Sequence, residues 1–432
     1  MPGPRGSGEI DRSGVAGRLL VLGASARALA ASAGRSLEAR RRFPGGILAI
    51  DYFGDTDLAG EARGVEGERP QAPLPQAPEV RIVSVSRDLG LPRTTASLGR
   101  AALATEWSAL AYTGGLENRP GLLRLLARRK GADGQTATIL GNGGKTLAAV
   151  RDPRRLFPFL QVREIPHAAV RFDDTMSPGA PPAAASAWLI KKIRSAGGAG
   201  VRAAVPRERL PPGCFLQERL SGPVGSVAFL ADGREAVLLG FTEQLAGWEA
   251  LGASGYRYTG NIAGPWNAFL SAKALDLLGR AARRITERFG LRGLNGLDYI
   301  VQGDLPRLIE VNPRWTASME LIEERIGRNL FDLQIQAQDG ELAGDGRLAL
   351  LREIGIHASP GRFLAKGILY ATAACIAPEP AALLALGARD RPPRGERLAP
   401  GQPICTLVVD GDTPAACRAR LREQAAAVRS LL

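Results

Sequence analysis

The sequence predicts a chain of mixed class: a parallel-sheet α/β domain in front, α+β architecture behind it, and a small β-rich unit at the end. Three observations lead there. Short apolar runs alternate with helical segments from residue 18 to about 130, as in a parallel sheet covered by helices. From residue 214 onward, apolar runs are separated by Gly and Asp-Gly turns, as in antiparallel strands. The tail, 346–432, returns to short strands and closes on a helix from about Pro414.

The elements follow in order. "RLLVLGASARALAASAG" (18–34) reads as a buried strand, a Gly turn and a helix, and "GGILAID", ending at Asp51, as a second strand. "VRIVSVS" is a third, after a Pro-rich connection over about 60–79, and "EWSALAYTGGLENRPGLLRLLARR" adds a strand, a Gly-Gly loop and an amphipathic helix. Gly23 and Asp51 invite a dinucleotide site, but only the first glycine of that fingerprint is in place, so a tight strand–helix turn is the better reading. Near residue 150 the character changes. "DPRRLFPFL" is a helix start, with Asp152 as cap and Pro153 in the first turn. Residues 176–187 carry no core signal and read as a flexible loop. "WLIKKIRSAGGAGVR" is a strand running into a Gly-rich loop. "CFLQERL", "GSVAFLA" and "REAVLLGFTEQL" read as successive antiparallel strands turning at Gly222 and Asp232-Gly233. The run 271–289 is a helix with Leu275, Leu278, Ala282 and Ile285 on its apolar face.

Composition limits the function. A chain of 432 residues divides into two to four packed units. The net charge of +13 would suit nucleic acid, but only 6 of its 56 basic residues are lysines and the arginines are scattered. No basic run is interleaved with aromatics, so no nucleic-acid partner is expected. Cys214, Cys375, Cys405 and Cys417 stand far apart and read as buried free thiols in a reducing compartment. With two histidines, His167 and His357, a multi-histidine metal centre is excluded. No apolar run approaches the ~20 residues of a membrane helix, and no signal peptide opens the chain, so a cytoplasmic protein without a membrane partner is expected.

The chemistry gathers in three stretches. In "RLIEVNPRW" (307–315), strand alternation sends Glu310 and Asn312 to one face and Val311 to the other. "GLNGLDYIV" precedes it across a turn-like "QGDLP", and a hairpin centred on Asp304 sets Asp298 opposite Glu310. Two facing carboxylates repel unless a cation lies between them, and oxygen-only ligands point to Mg²⁺ (or Mn²⁺) shared with phosphates. The plainer alternative makes Asp298 an edge residue and Glu310 an ion-pair partner of an arginine. Lys191 and Lys192 stand just before Gly197, Gly198 and Gly200, a loop whose N–H groups could cradle phosphate, or which is an ordinary surface hairpin. In "FLQERLSGPVGSVAFLA", a polar pair inside an apolar strand suits a base pocket, with Leu220 against the ring.

Taken in this order, the three stretches resemble the ATP-grasp superfamily over about residues 150–320. The resemblance implies an ATP-grasp fold preceded by a Rossmann-like domain: a flexible segment (1–17), a domain before the grasp (18–150), subdomain A (151–215), subdomain B (216–345) and the C-terminal unit (346–432). It further implies ATP between the subdomains, with Lys191 and the Gly197–Gly200 loop on its phosphates. Gln217, Glu218 and Leu220 would hold adenine, the last two through backbone. Asp298, Glu310 and Asn312 would hold Mg²⁺, and Arg314 would steady the transferring phosphoryl group. The implied activity is carboxylate–amine ligation through an acyl phosphate, on small-molecule carboxylate and amine substrates, in a family that often dimerises. Two departures stand out: Val224 stands where relatives often carry an acidic residue that binds ribose, and the earlier lysine that many carry near the start of the first subdomain is missing, with only Arg154 and Arg155 near its place. Scattered matches such as "YTGGLENRPGLL" and "PGQPICTLVVDGD" resemble the biotin-carboxylase-related members that accompany methanofuran and tetrahydromethanopterin genes. They imply ligation of an amino acid such as glutamate to a one-carbon carrier precursor. Ser25, Arg27, Tyr112, Glu117, Arg119, Thr316 and Ser318 are candidates to line the substrate space. A bicarbonate-phosphorylating carboxylase and a scaffold without turnover are the alternatives.

Overall fold

The computed structural model describes residues 17–57, 78–131, 134–172, 187–205, 208–340, 346, 350 and 362–432. The expected flexible segment 1–17 and loop 176–187 lie outside these, apart from Gly17 and Ala187, as does His357.

The front of the chain forms a five-stranded parallel sheet in the order β3-β2-β1-β4-β5: β1 Leu19–Leu22, β2 Ile47–Asp51, β3 Val80–Ser84, β4 Ala109–Tyr112 and β5 Thr138–Ile139. Every residue of β1 is fully buried, as a strand covered on both faces must be. Gly23 follows β1 where a Cβ would lie 1.8 Å from Thr113 Oγ1, so glycine lets the chain pass close to β4's end, and helix α1 (Arg27–Arg35) comes next. Asp51 accepts the backbone N–H groups of Ala26, Phe53 and Gly54, so it ties the sheet's end together and is not offered to a ribose.

Helix α2 (Pro153–Val162) begins where the sequence places it, with Asp152 accepting from Arg154 N at 2.9 Å. A small antiparallel sheet follows, in the order β6-β9-β7-β8: β6 Val170–Arg171, β7 Trp188–Lys192, β8 Val201–Ala203 and β9 Cys214–Glu218. The third sheet is antiparallel with seven strands. It contains β10 Val224–Asp232, β11 Ala236–Ala246, β12 Tyr258–Gly264, β13 Arg292–Gln302, β14 Leu305–Asn312, β15 Phe363–Tyr370 and, beyond a short pair of β16 Cys375–Ile376 and β17 Arg397–Leu398, β18 Pro403–Gly411. Its order is β14-β13-β10-β11-β12-β15-β18, so the C-terminal strands continue the sheet that carries the β13–β14 hairpin. Helix α3 (Ala272–Phe289) covers one face, burying Leu278, Ala282 and Ile285 with Leu275 half-buried; α4 (Met319–Ile326), α5 (Leu330–Gln338) and α6 (Pro414–Arg429) pack around the same sheet.

One expectation fails. The sequence reading made β9 and β10 neighbours turning at Gly222, but they belong to different sheets. Gly222 passes with φ 141° beneath β13, where a Cβ would lie 2.2 Å from Val301 O, and only glycine allows that crossing. The free thiols of Cys214, Cys405 and Cys417 are buried, whereas Cys375 is half-buried.

Candidate active site

The β13–β14 hairpin sets Asp298 opposite Glu310 and Gly296 opposite Asn312. Nearer the turn the register differs by one, with Tyr299 opposite Leu308, so the hairpin turns between Gly303 and Asp304 and a bulge at Ile309 restores the pairing. Val311 enters the core, while Asn312 Nδ2 donates to Asp298 Oδ2 at 2.9 Å on the other face. Ser226, opposite Asp298 on β10, supplies a further hydrogen bond. Burial raises the Asp298 carboxyl to about 6, and Glu310 adds to the shift. Burial pushes Glu310 the same way, yet Arg151 and Lys191 outweigh it and hold this carboxyl below its ordinary value.

Those two cations come from opposite sides. Lys191 on β7 donates to Gln217 Oε1 at 3.0 Å and stands 3.8 Å from Glu310 Oε2; burial lowers its pKa. Arg151, between a short helix (Gly144–Val150) and α2, donates through Nη1 to Glu310 Oε1 and to Val311 O at 3.2 Å. Sequence reasoning missed it. The sequence offered only Arg154 and Arg155 near the place of that early lysine; the cation that reaches the hairpin is Arg151, while Arg154 lies over the Phe172 ring, 4.7 Å from its centroid. The signal was a third arginine just before the Asp152 cap.

The Gly-rich loop joins β7 to β8 and is folded down onto the start of β12. Tyr258 N–H donates to Gly197 O at 3.1 Å, and a Cβ on Gly198 (φ 77°) would lie 1.8 Å from Tyr256 O. Behind it, Asn118 Nδ2 and Arg151 Nη2 donate to Ser195 O at 3.3 and 3.2 Å. Gln217 is buried and donates to Ile309 O at 3.0 Å, linking the two antiparallel sheets. Glu218 does the same with a two-point ion pair to Arg307, and its own N–H donates to Ala169 O, so a backbone contact from Glu218 is left to its carbonyl. Leu220 is half-buried at the start of the crossover, and Val224 opens β10 opposite Ile300.

A cavity of ≈ 320 Å³ reaches from Asp298, Glu310 and Asn312 past Arg314 to the front domain. Ser25, Arg27, Thr316 and Ser318 line it, as do Gly197 and Gly198. Tyr112, Glu117 and Arg119 do not. Tyr112 is buried with its hydroxyl on Asn142 O and Pro313 O at 2.7 and 3.2 Å, and Arg119 is exposed. Glu117 is a support: its carboxylate accepts Arg314 Nε at 2.7 Å and Gly115 N at 2.5 Å. Arg314 Nη1 donates to Trp315 O at 3.0 Å, and Nη2 has no protein partner among the described residues.

The donor set fits a hard divalent cation: two half-buried carboxylates, an amide beside them, and cations on both flanks where phosphate oxygens could sit. Among the described residues, no group of three or more His, Cys, Asp and Glu is placed to hold a metal ion. Two carboxylates alone make a site for an ion that keeps most of its coordination for water and phosphate.

Residues 159–318 match the family model of the ATP-grasp domain. No curated protein matches the chain. Among solved structures, the biotin carboxylase domain of 2-oxoglutarate carboxylase from Hydrogenobacter thermophilus, in complex with MgADP, ADP and bicarbonate, is 14% identical with a TM-score of 0.61. That match covers 94% of this chain and 89% of that one. The L-amino acid ligase from Bacillus licheniformis is 14% identical with a TM-score of 0.58, over 96% of this chain and 98% of that one. Biotin carboxylase from Campylobacter jejuni, in a β-γ-ATP complex, is 13% identical with a TM-score of 0.57, over 94% and 89%. The chain has the ATP-grasp fold, with a parallel sheet in front of the grasp and its C-terminal strands built into the central sheet.

Proposed function

We propose that the protein is an ATP-dependent, ADP-forming ligase that joins a carboxylate to an amine through an acyl phosphate, with Mg²⁺ (or Mn²⁺) at Asp298, Glu310 and Asn312. The observation that carries this reading is the strand-end clamp, in which two facing carboxylates and an amide adjoin Lys191, Arg151 and Arg314. The bound cation would neutralise charge on the phosphates. Lys191 and the Gly197–Gly200 loop would hold the phosphates, and Gln217, Glu218 and Leu220 would receive the base between subdomains 151–215 and 216–345. Arg314, held by Glu117, would present its Nη2 to the transferring phosphoryl group or the acyl phosphate. No side-chain nucleophile is needed; positioning and fixed charge do the work.

The acid and amine form the finer part of the proposal. An amino acid such as glutamate, joined to a one-carbon carrier precursor, is supported by the short sequence matches, while the clamp serves any acid. Free thiols in the chain support a cytoplasmic setting, and the Hydrogenobacter domain, solved as a dimer, supports a homodimer.

ADP release with Mg²⁺ and ATP across a panel of amino acids and bicarbonate, beside Glu310→Ala, tests the reading. Turnover that requires one amino acid and falls at least ~1,000-fold in the variant is expected, since a metal ligand is removed. Turnover with bicarbonate alone would replace the ligase with a carboxylase. Failure of the wild-type protein to bind nucleotide would overturn the site itself.

A further inference from the structure

The cavity at the clamp has a second polar end. There Arg27 of α1, Lys366 of β15 and Asp390 meet, and the phosphoryl chemistry above uses none of them. Asp390 is the carboxylate this end presents to the cavity. Its Oδ1 accepts Arg27 Nε at 2.6 Å, its side chain is 22% exposed, and its Oδ2 has no protein donor among the described residues. The backbone at Asp390 holds φ 51°, a left-handed conformation that Asp tolerates but seldom takes. Asp57, fully buried in the front domain, pins it there by accepting the N–H groups of Asp390 and Arg391 at 2.8 and 3.0 Å.

The cations at this end are already engaged by carboxylates. Arg27 Nη2 lies 2.7 Å from Glu320 Oε1, and Lys366 Nζ lies 3.0 Å from Glu320 Oε2. This end therefore offers Asp390 Oδ2 to a ligand, while both of its cations are already paired with carboxylates. The clamp end offers the reverse: Arg314 Nη2 and, across the cavity, the hydroxyls of Thr316 and Ser318.

We infer that the acid activated at the clamp is an amino carboxylic acid, its carboxylate held at Arg314 and its ammonium bound by Asp390. This rests on the ligase reading for what happens at the carboxylate; recognition of the ammonium does not. A charge-assisted hydrogen bond gives such a group real discrimination.

The test is calorimetric titration of the full-length protein, with and without Mg²⁺ and a non-hydrolysable ATP analogue. The probes are α-amino acids, straight-chain ω-amino acids of increasing length, and the deaminated counterpart of each. At least one amino acid should bind ~30-fold or more tightly than its deaminated partner, and Asp390→Asn should erase that preference while leaving analogue affinity nearly unchanged; the variant also weakens the pair with Arg27, so retained analogue binding is the check that it is folded. Deaminated acids binding as well as their amino partners, no amino acid binding at all, or a preference that survives Asp390→Asn would each overturn the inference. The first two outcomes need no variant. Absence of analogue binding would fell the ligase reading separately, because the amine preference is also measured without nucleotide.

Discussion

Asp298 and Glu310 face each other across one hairpin, yet their surroundings drive the two carboxyls apart. Burial, with Glu310 adding to it, lifts Asp298 from 3.8 to about 6, whereas Arg151 and Lys191 overcome burial at Glu310 and hold it down. The sign for stability follows. Between about pH 4 and 6 the folded metal-free protein keeps a proton on Asp298 that the unfolded chain has released, so this group's contribution falls as pH rises through that window. Asp298→Asn keeps the contact with Asn312 and removes the titration. The stability of the wild type relative to Asp298→Asn should drop by up to about 3 kcal/mol from pH 4 to pH 7 in the presence of chelator, followed by urea denaturation. A flat difference would mean that the Asp298 carboxyl is not raised. The facing pair itself was legible from strand alternation and a placed turn, and the bulge at Ile309 happened to compensate a turn centred half a residue away. Arg151 was not legible, because it reaches a residue 159 positions along the chain and no periodicity encodes that approach.

At the scale of elements, the decisive piece is the loop between β7 and β8. Its glycines were visible in the sequence; what they meet was not. Gly197 and Gly198 both hold left-handed φ, of 62° and 77°, but a Cβ on Gly197 would meet nothing within 4 Å while one on Gly198 would overlap the Tyr256 carbonyl. Alanine at either position costs about 1–2 kcal/mol of local backbone strain. Only Gly198→Ala must also lift the loop off β12, because a backbone carbonyl cannot swing aside. Affinity for an ATP analogue should fall about tenfold or more in Gly198→Ala, a loss of about 1.4 kcal/mol or more, and within about threefold in Gly197→Ala. Equal losses in the two variants would show that the seated loop plays no part in holding nucleotide. The β9–β10 misreading belongs at this scale as well. A Ser-Gly-Pro run marks a change of direction, but whether the chain turns back or crosses to another sheet depends on Gly222 passing beneath Val301.

Across the whole molecule, three regions distant in sequence are joined at one buried carboxylate. Glu320 at the start of α4 meets Arg27 from the front domain at 2.7 Å, Lys366 from β15 at 3.0 Å and Arg389 at 2.8 Å. Burial alone would raise its carboxyl, but those three cations outweigh burial and hold it well below the usual range. The depressed value means that its contribution is complete above the ordinary carboxylate pKa and is lost as pH falls through the folded value. Sequence patterns predicted the strands of the C-terminal unit but could not show that β15 pairs with β12, and so could not bring Lys366 to Glu320. Removing this charge takes from Lys366, only 5% exposed, its carboxylate partner, and leaves Arg27 to Asp390 and Asp57, and Arg389 to Glu324. Glu320→Gln should therefore destabilise the protein by about 3–5 kcal/mol at pH 7, the range for breaking a buried ion pair from one side. Asp276→Asn removes a pair with Arg280 that is more than half exposed on both sides, and should cost less than about 0.5 kcal/mol. Thermal unfolding of both variants beside the wild type, repeated at falling pH, checks the magnitude and the sign together. The gap for Glu320→Gln should close in acid and that for Asp276→Asn should stay small throughout. A Glu320→Gln midpoint within a degree of wild type at pH 7 would mean that apolar contacts, rather than this charge, hold the front domain and the C-terminal strands to the grasp.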